Sequence, residues 1–162
     1  MVIGFRALCR FAPALSRGVI GLMSGEDLLR AHGLRVTRPR LAVLDVLAGH
    51  PGHLDVDQIA GRVRERLDSV STQAVYDVLS ALSRAGLARR IEPAGSPALF
   101  EARVGDNHHH LVCRGCGLIA DVDCSAGAAP CLDPSEAHGF AVDEAEVTFW
   151  GLCPTCRARG DD

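Results

Sequence analysis

The sequence predicts an α+β protein: a helical N-terminal unit closed by a β-hairpin, then a small α/β unit. Three observations carry this expectation. Four stretches with helical apolar spacing come first, and two short β-patterned runs around a turn follow them. Charge divides the chain, since residues 1–92 hold 13 arginines and 9 acids (net +4) while residues 93–162 hold 4 arginines and 11 acids (net −7). Cysteine and histidine concentrate in the acidic half. A length of 162 residues with 48% apolar content suits one domain or two small ones with modest cores.

Residues 1–22, "MVIGFRALCRFAPALSRGVIGL", stand apart. Arginines and Pro13 break their apolar run too often for a membrane span. They read as a variable tail, a poor targeting peptide or a mis-called start ahead of Met23. The remainder divides into a unit at 23–103, including a hinge, and a unit at 104–162. No other stretch is apolar enough to cross a membrane, so the expected location is cytoplasmic.

The elements follow in order. "SGEDLLRAHG" offers Ser24 as N-cap, acids in the first turn and Gly33 as a stop. In "VTRPRLAVLDVLAGHPG", Thr37 can cap and Pro39 suits the opening turn. Leu41, Leu44, Val46 and Leu47 make the inner face there. "LDVDQIAGRVRERLDS" has Asp55 as cap and buries Val56, Ile59, Val63 and Leu67. Ser71 or Thr72 caps a fourth helix with Val75, Val78, Leu79 and Leu82 inside and Gly86 at its end. "LARRIE" and "PALFEAR" are short strands around "PAGSP".

Helices followed by a hairpin are the order of a winged helix-turn-helix, in which the helix at 71–85 enters a DNA major groove. A small helical bundle with an incidental hairpin is the bland alternative. The exposed face favours double-stranded DNA. Thr72, Gln73, Tyr76 and Asp77 lie near the start of the fourth helix, off its apolar stripe, where Gln and Tyr can reach base edges. Arg35, Arg38, Arg40, Arg89 and Arg90 flank that helix in sequence and can neutralise phosphates. Singly each arginine is an ordinary solvated charge; as a set they suit a polyanion.

In the rear unit, "HHLVCRGCGLIADVD" reads as strand, turn, strand, and "PCLDPSEAHG" as a short helix. "FAVDEAEVTFWGLC" reads as a strand through Val142, Ala145, Val147 and Phe149. So small a unit leaves sheet edges that a second copy would cover. A symmetric homodimer would also offer two recognition helices to a palindromic site.

Two metal sites are expected here. Cys113-x-x-Cys116 and Cys153-x-x-Cys156 each sit on a tight turn, and four thiolates suit tetrahedral structural Zn2+. Disulfides or a redox C-x-x-C are the alternatives, but a thioredoxin-like setting is absent. Cys9, Cys124 and Cys131 remain, the last two as buried structural cysteines. The second site follows from hairpin register. If Cys113 faces Cys116, then His108 faces Asp121, and His110 shares that face. Two imidazoles and a carboxylate suit Fe2+, Mn2+ or Zn2+; a solvated polar strand is the alternative.

At this point the chain resembles the ferric uptake regulator (Fur) family over residues 24–157. "GLRVTRPRLAVLDVL", "STQAVYDVLSAL", "ALFE", "HHHLVCRGCG" and "GLCPTC" occur in the family's order. "STQAVYD", "IADVDC", "GAAPC" and "EAEVTFWGLCP" resemble its actinobacterial FurA/CatR-type branch. The resemblance implies a metal-dependent, peroxide-responsive repressor of catalase-peroxidase or iron and oxidative-stress genes, not an enzyme. It implies a regulatory Fe2+ or Mn2+ held by His53, Glu101, His108, His110 and Asp121, with His53 and Glu101 added by the resemblance alone. A further family site matches only at His109 and His138, because Asn107 and Ala128 stand where ligands are usual. Peroxide would act through oxidation of a ligand histidine or of the zinc thiolates. Peroxide sensors of the wider family often carry aspartate at the position of Glu101, so glutamate there also resembles the iron-sensing members. The rivals are a zinc or iron uptake regulator without peroxide sensing, a zinc hydrolase built on His108, His110 and Asp121, and a metal-storage module.

Overall fold

In a computed structural model, the described residues are 23–93, 95–102, 104, 108–124, 132, 134–142 and 145–160. The tail at 1–22, Cys9, Asn107, Ala128 and Cys131 lie outside them. Helix α1 spans Gly25–Ala31, with the Ser24 hydroxyl accepting from the Asp27 N–H. Helix α2 spans Arg38–Ala48, capped by Thr37 with Pro39 in its first turn, where a missing N–H costs nothing. Helix α3 spans Val56–Arg64 behind a complete capping box, in which Asp55 and Gln58 satisfy each other's backbone N–H groups. Helix α4 spans Thr72–Arg84, and Ser71 is its cap. Gly86 follows at φ 67°, a left-handed turn that glycine adopts without Cβ strain.

These helices share one core. Leu29, Val43, Leu47, Ile59, Val63 and Leu79 are essentially inaccessible and belong to a single apolar cluster that Phe100 joins from the hairpin. Leu67, expected to be buried, is only half-buried at its edge.

Two antiparallel strands, β2 (Arg89–Ile91) and β3 (Leu99–Glu101), form the expected hairpin. A two-residue strand the sequence did not suggest, β1 (Leu54–Asp55), pairs with the far side of β3. The resulting order is β1-β3-β2. A run of two residues has no periodicity to read, so only tertiary pairing reveals it.

The rear unit is a second sheet, ordered β5-β4-β6, from β4 (His108–Cys113), β5 (Ile119–Asp123) and β6 (Thr148–Gly151). Here β4 and β5 are antiparallel, whereas β6 runs parallel to β4 on its other edge. Three expectations are corrected. First, His110 rather than His108 faces Asp121, and His108 faces Asp123. The turn is wider than Cys113 facing Cys116, because the Cys113 N–H bonds to the Leu118 carbonyl and Gly117 turns at φ 72°. The slip is two residues, so His108, His110 and Asp121 keep a common face; one residue would have separated them. Second, the described residues of 130–139 contain no helix; Pro134 interrupts the segment and Gly139 bends it at φ 82°. Third, the final strand is confined to Thr148–Gly151, and an unforeseen helix α5 (Pro154–Arg159) follows, with Cys153 as its N-cap. Among the described residues no helix is long and apolar enough to cross a membrane.

Candidate functional site

Register explains the first cluster. Leu54 pairs with Phe100, so one step further along that antiparallel ladder sets His53 opposite Glu101. In the rear sheet His110 sits directly across from Asp121. The two sheets meet at these positions. His53 Nε2 lies 3.3 Å from Glu101 Oε2 and 3.2 Å from Asp121 Oδ1. His110 Nε2 lies 3.6 Å from Glu101 Oε1 and 4.0 Å from Asp121 Oδ1. One ligand atom from each of His53, Glu101, His110 and Asp121 falls within 4.8 Å of all the others. His108 stands just outside this quartet, with its Nε2 3.0 Å from Glu101 Oε1. The rings of His53 and His108 both meet the His110 ring edge-on at 5.0 Å.

The cluster is dry. Glu101 and His110 are buried, and the His53 side chain is only 4% exposed. Burial works against a charge on Glu101, but the imidazoles of His108, His110 and His53 beside it prevail and hold it well below the usual carboxylate range. Both ring nitrogens of His53 and of His110 are buried without a well-formed hydrogen bond. Each such group costs about 1–3 kcal/mol unless something compensates. Imidazole nitrogens and carboxylate oxygens converging on one centre are donors for a borderline divalent cation, so the residues present fit Fe2+ or Mn2+.

The second cluster gathers Cys113, Cys116, Cys153 and Cys156, whose sulfurs all lie within 4.8 Å of one another. All four are thiols rather than disulfides. The parallel β4–β6 ladder, which pairs Cys113 with Gly151, brings the two knuckles together across 36 intervening residues, 117–152. Backbone N–H groups already favour thiolate here. The Cys153 N–H donates to Cys113 Sγ at 3.2 Å and lowers that thiol to about 6. Cys156 is pushed up, because its thiol donates to the Cys116 sulfur and burial disfavours a second charge. Four such sulfurs cannot all ionise without a cation, and this donor set suits closed tetrahedral zinc.

A third surface is the outer face of α4. Gln73 and Tyr76 are exposed, Tyr76 by 50%. Gln73 Nε2 donates to Asp77 Oδ1 at 3.0 Å. The Thr72 hydroxyl is held by Arg64 Nη2 at 2.8 Å, and Arg64 Nε also binds the Val70 carbonyl. Sequence reading missed Arg64, which ties α3 to the start of α4. Arg35 and Arg38 are exposed, while Arg40 is half-buried with a guanidinium N–H on the Arg35 carbonyl.

The remaining candidates stay apart from both clusters. His109 is buried edge-on against Phe149, and His138 is exposed 3.5 Å from Glu136. Cys124 is half-buried.

Comparison with known proteins agrees with this architecture. The ferric uptake regulator family profile matches residues 31–150. The transcriptional regulator FurA of Mycobacterium tuberculosis is 62% identical over 130 residues, covering 80% of this chain and 88% of its own. A ferric uptake regulator from Pseudomonas aeruginosa, solved with manganese, superposes with a TM-score of 0.64 at 24% identity over 82% of this chain and 99% of that one. A peroxide stress regulator from Campylobacter jejuni gives 0.60 at 26% identity over 83% and 100%. A hydrolase reading does not survive, since the relatives are regulators of transcription. With its winged helix-turn-helix unit, cysteine quartet and buried His/Glu/Asp cluster, the chain belongs to the ferric uptake regulator family.

Proposed function

We propose that this regulator is a metal-dependent, peroxide-responsive repressor that binds palindromic operator DNA as a homodimer in the cytoplasm. Its targets would be catalase-peroxidase or iron and oxidative-stress genes. Residues 23–103 form the DNA-binding unit and 104–162 the metal-binding dimerisation unit. Cys113, Cys116, Cys153 and Cys156 hold structural Zn2+. His53, Glu101, His110 and Asp121, with His108 alongside, hold Fe2+ or Mn2+. Thr72, Gln73 and Tyr76 read bases, and Arg35, Arg38 and Arg40 hold phosphates.

One observation carries this reading: His53, from the winged-helix unit, lies 3.2 Å from Asp121 of the rear sheet. A bound cation supplies positive charge where two carboxylates and two buried imidazoles already converge. His53 and Glu101 belong to the front unit, His110 and Asp121 to the rear one, so all four can serve one centre only in one relative pose of the units. That pose gains population by the difference in cation affinity between it and every other pose. Two recognition helices are then set at a single spacing. The homodimer is supported by the outer face of the rear sheet, where Leu111 and Phe149 are paired across strands and each 47% exposed.

Operator binding with and without Mn2+, in zinc-loaded protein under anaerobic conditions, tests this. Wild type should bind about 5–150-fold tighter with Mn2+, the usual range of a coupling free energy, and His53→Ala should lose that ratio. An unchanged ratio in His53→Ala would overturn the coupling. The second reading, iron or zinc uptake control without peroxide sensing, is favoured by glutamate at position 101. Peroxide treatment of the iron-loaded protein separates the two: release from DNA with one added oxygen on a ligand histidine, or with cysteine disulfides, supports sensing. Undiminished DNA binding after peroxide treatment would contradict it and support the second reading.

A further inference from the structure

Beyond the ligands themselves, the geometry points to Glu146 as the residue that orients His110 for the regulatory cation. This rests on the metal-centre reading above.

His110 is 1% exposed, and its two nitrogens face different ways. Nε2 points at Glu101 and Asp121. Nδ1 points away from them, has no hydrogen bond, and lies 3.8 Å from Glu146 Oε1. A histidine that gives one nitrogen to a metal must carry its proton on the other. That N–H is normally donated to a carboxylate, a carbonyl or water, which fixes both tautomer and ring angle.

Glu146 is placed for this by the backbone. The His110 N–H donates to the Val147 carbonyl at 3.3 Å, so the residue beside Glu146 is tied to the main chain of His110 itself. Both side chains border a cavity of about 80 Å³, lined by Ile91, Glu92, Pro93, His110, Glu146 and Thr148. That is ample for a bridging water, which needs polar partners on both sides and finds them here. The carboxylate can also close the gap directly, since its side chain is half-exposed and already within 3.8 Å of Nδ1. The other acid lining the cavity, Glu92, is already ion-paired with Arg90. Glu146 is therefore a positioning residue that acts on the cation through His110, since it faces the ring nitrogen turned away from the cluster.

The test is Mn2+ binding to zinc-loaded full-length protein without DNA, read from the electron paramagnetic resonance of free Mn2+. Loss of an outer carboxylate typically weakens metal binding about 10–100-fold, and Glu146→Ala should fall in that range. Glu146→Gln, whose amide oxygen still accepts, should fall between Ala and wild type. Glu136→Ala, which removes an equal charge elsewhere, should match wild type. Long-range proton–nitrogen NMR of the Zn2+-loaded protein should show His110 protonated at Nδ1, with faster proton exchange in Glu146→Ala. A Glu146→Ala affinity within twofold of wild type, or His110 protonated at Nε2, would sink the assignment. His53→Ala belongs in the same titration. If it binds Mn2+ as wild type does, the metal-centre reading fails together with this one; if only the Glu146 variants are silent, this one fails alone.

Discussion

Gly115 lies between Cys113 and Cys116, and a methyl group there should loosen the zinc site. A Cβ built on it would sit 3.0 Å from Cys156 Sγ and 3.2 Å from Cys156 Cβ, with Leu152 Cδ2 at 3.5 Å. The first two are closer than side-chain carbons normally approach. Cys156 has little room to retreat: it is buried in the first turn of α5, and its N–H is held by Cys153 Sγ at 3.4 Å. Relief must come from moving α5 away from the first knuckle, which spreads sulfurs that now stand as near as 3.7 Å. Overpacking of this kind costs about 1–3 kcal/mol. At about 1.4 kcal/mol per factor of ten, Gly115→Ala should weaken zinc retention about 5–150-fold. Because zinc binding and folding are coupled, Tm should fall by at least about 2 °C. The assay is competition for zinc against a chromogenic chelator under reducing conditions, with thermal unfolding alongside. Gly151→Ala is the matched control, since a Cβ there meets nothing within 4 Å and the residue has no positive φ. Wild-type zinc affinity and Tm in Gly115→Ala, or an equal loss in Gly151→Ala, would refute the packing account.

Two further outcomes are expected. Tyr76→Ala should cost about 1–3 kcal/mol of operator affinity and relax preference at the base it contacts, whereas Arg38→Ala should weaken binding to all duplexes alike and reduce the salt slope by about 1. Equal effects of both on operator and random DNA, measured by fluorescence anisotropy over a salt series, would contradict this division of labour. Leu111→Asp puts a charge in the middle of the exposed sheet face opposite the metal ligands, and should shift the protein from dimer to monomer in sedimentation velocity. An unaltered dimer would place the interface elsewhere.

Local elements were legible in the sequence because their signals are local. Ser24, Thr37, Asp55 and Ser71 cap four helices because each side-chain oxygen meets an N–H three residues ahead. Spacing of 3.6 residues selected Val75, Val78, Leu79 and Leu82 as the buried stripe of α4, independent of what covers it. The cysteine pairs announced themselves by composition and a tight turn.

What depends on distant partners was not legible. Sequence spacing cannot tell that β1 exists, because two residues become a strand only when β3 lies beside them. Without β1, nothing sets His53 against Glu101, which is why His53 entered only by resemblance. Cysteine spacing alone sets the hairpin two residues out of register, because turn width is decided by the Cys113–Leu118 backbone bond. A two-residue slip preserves face parity, so the ligand set stays on one face although the cross-strand partners differ. The parallel β4–β6 ladder, which joins the two knuckles and carries Glu146 to the back of His110, spans tens of residues. The sequence by itself determined the four helices of the front unit, the presence of both hairpins and the donor atoms, since each depends on neighbours along the chain. Tertiary structure alone decided which donors share a centre, because that depends on how two sheets meet in space.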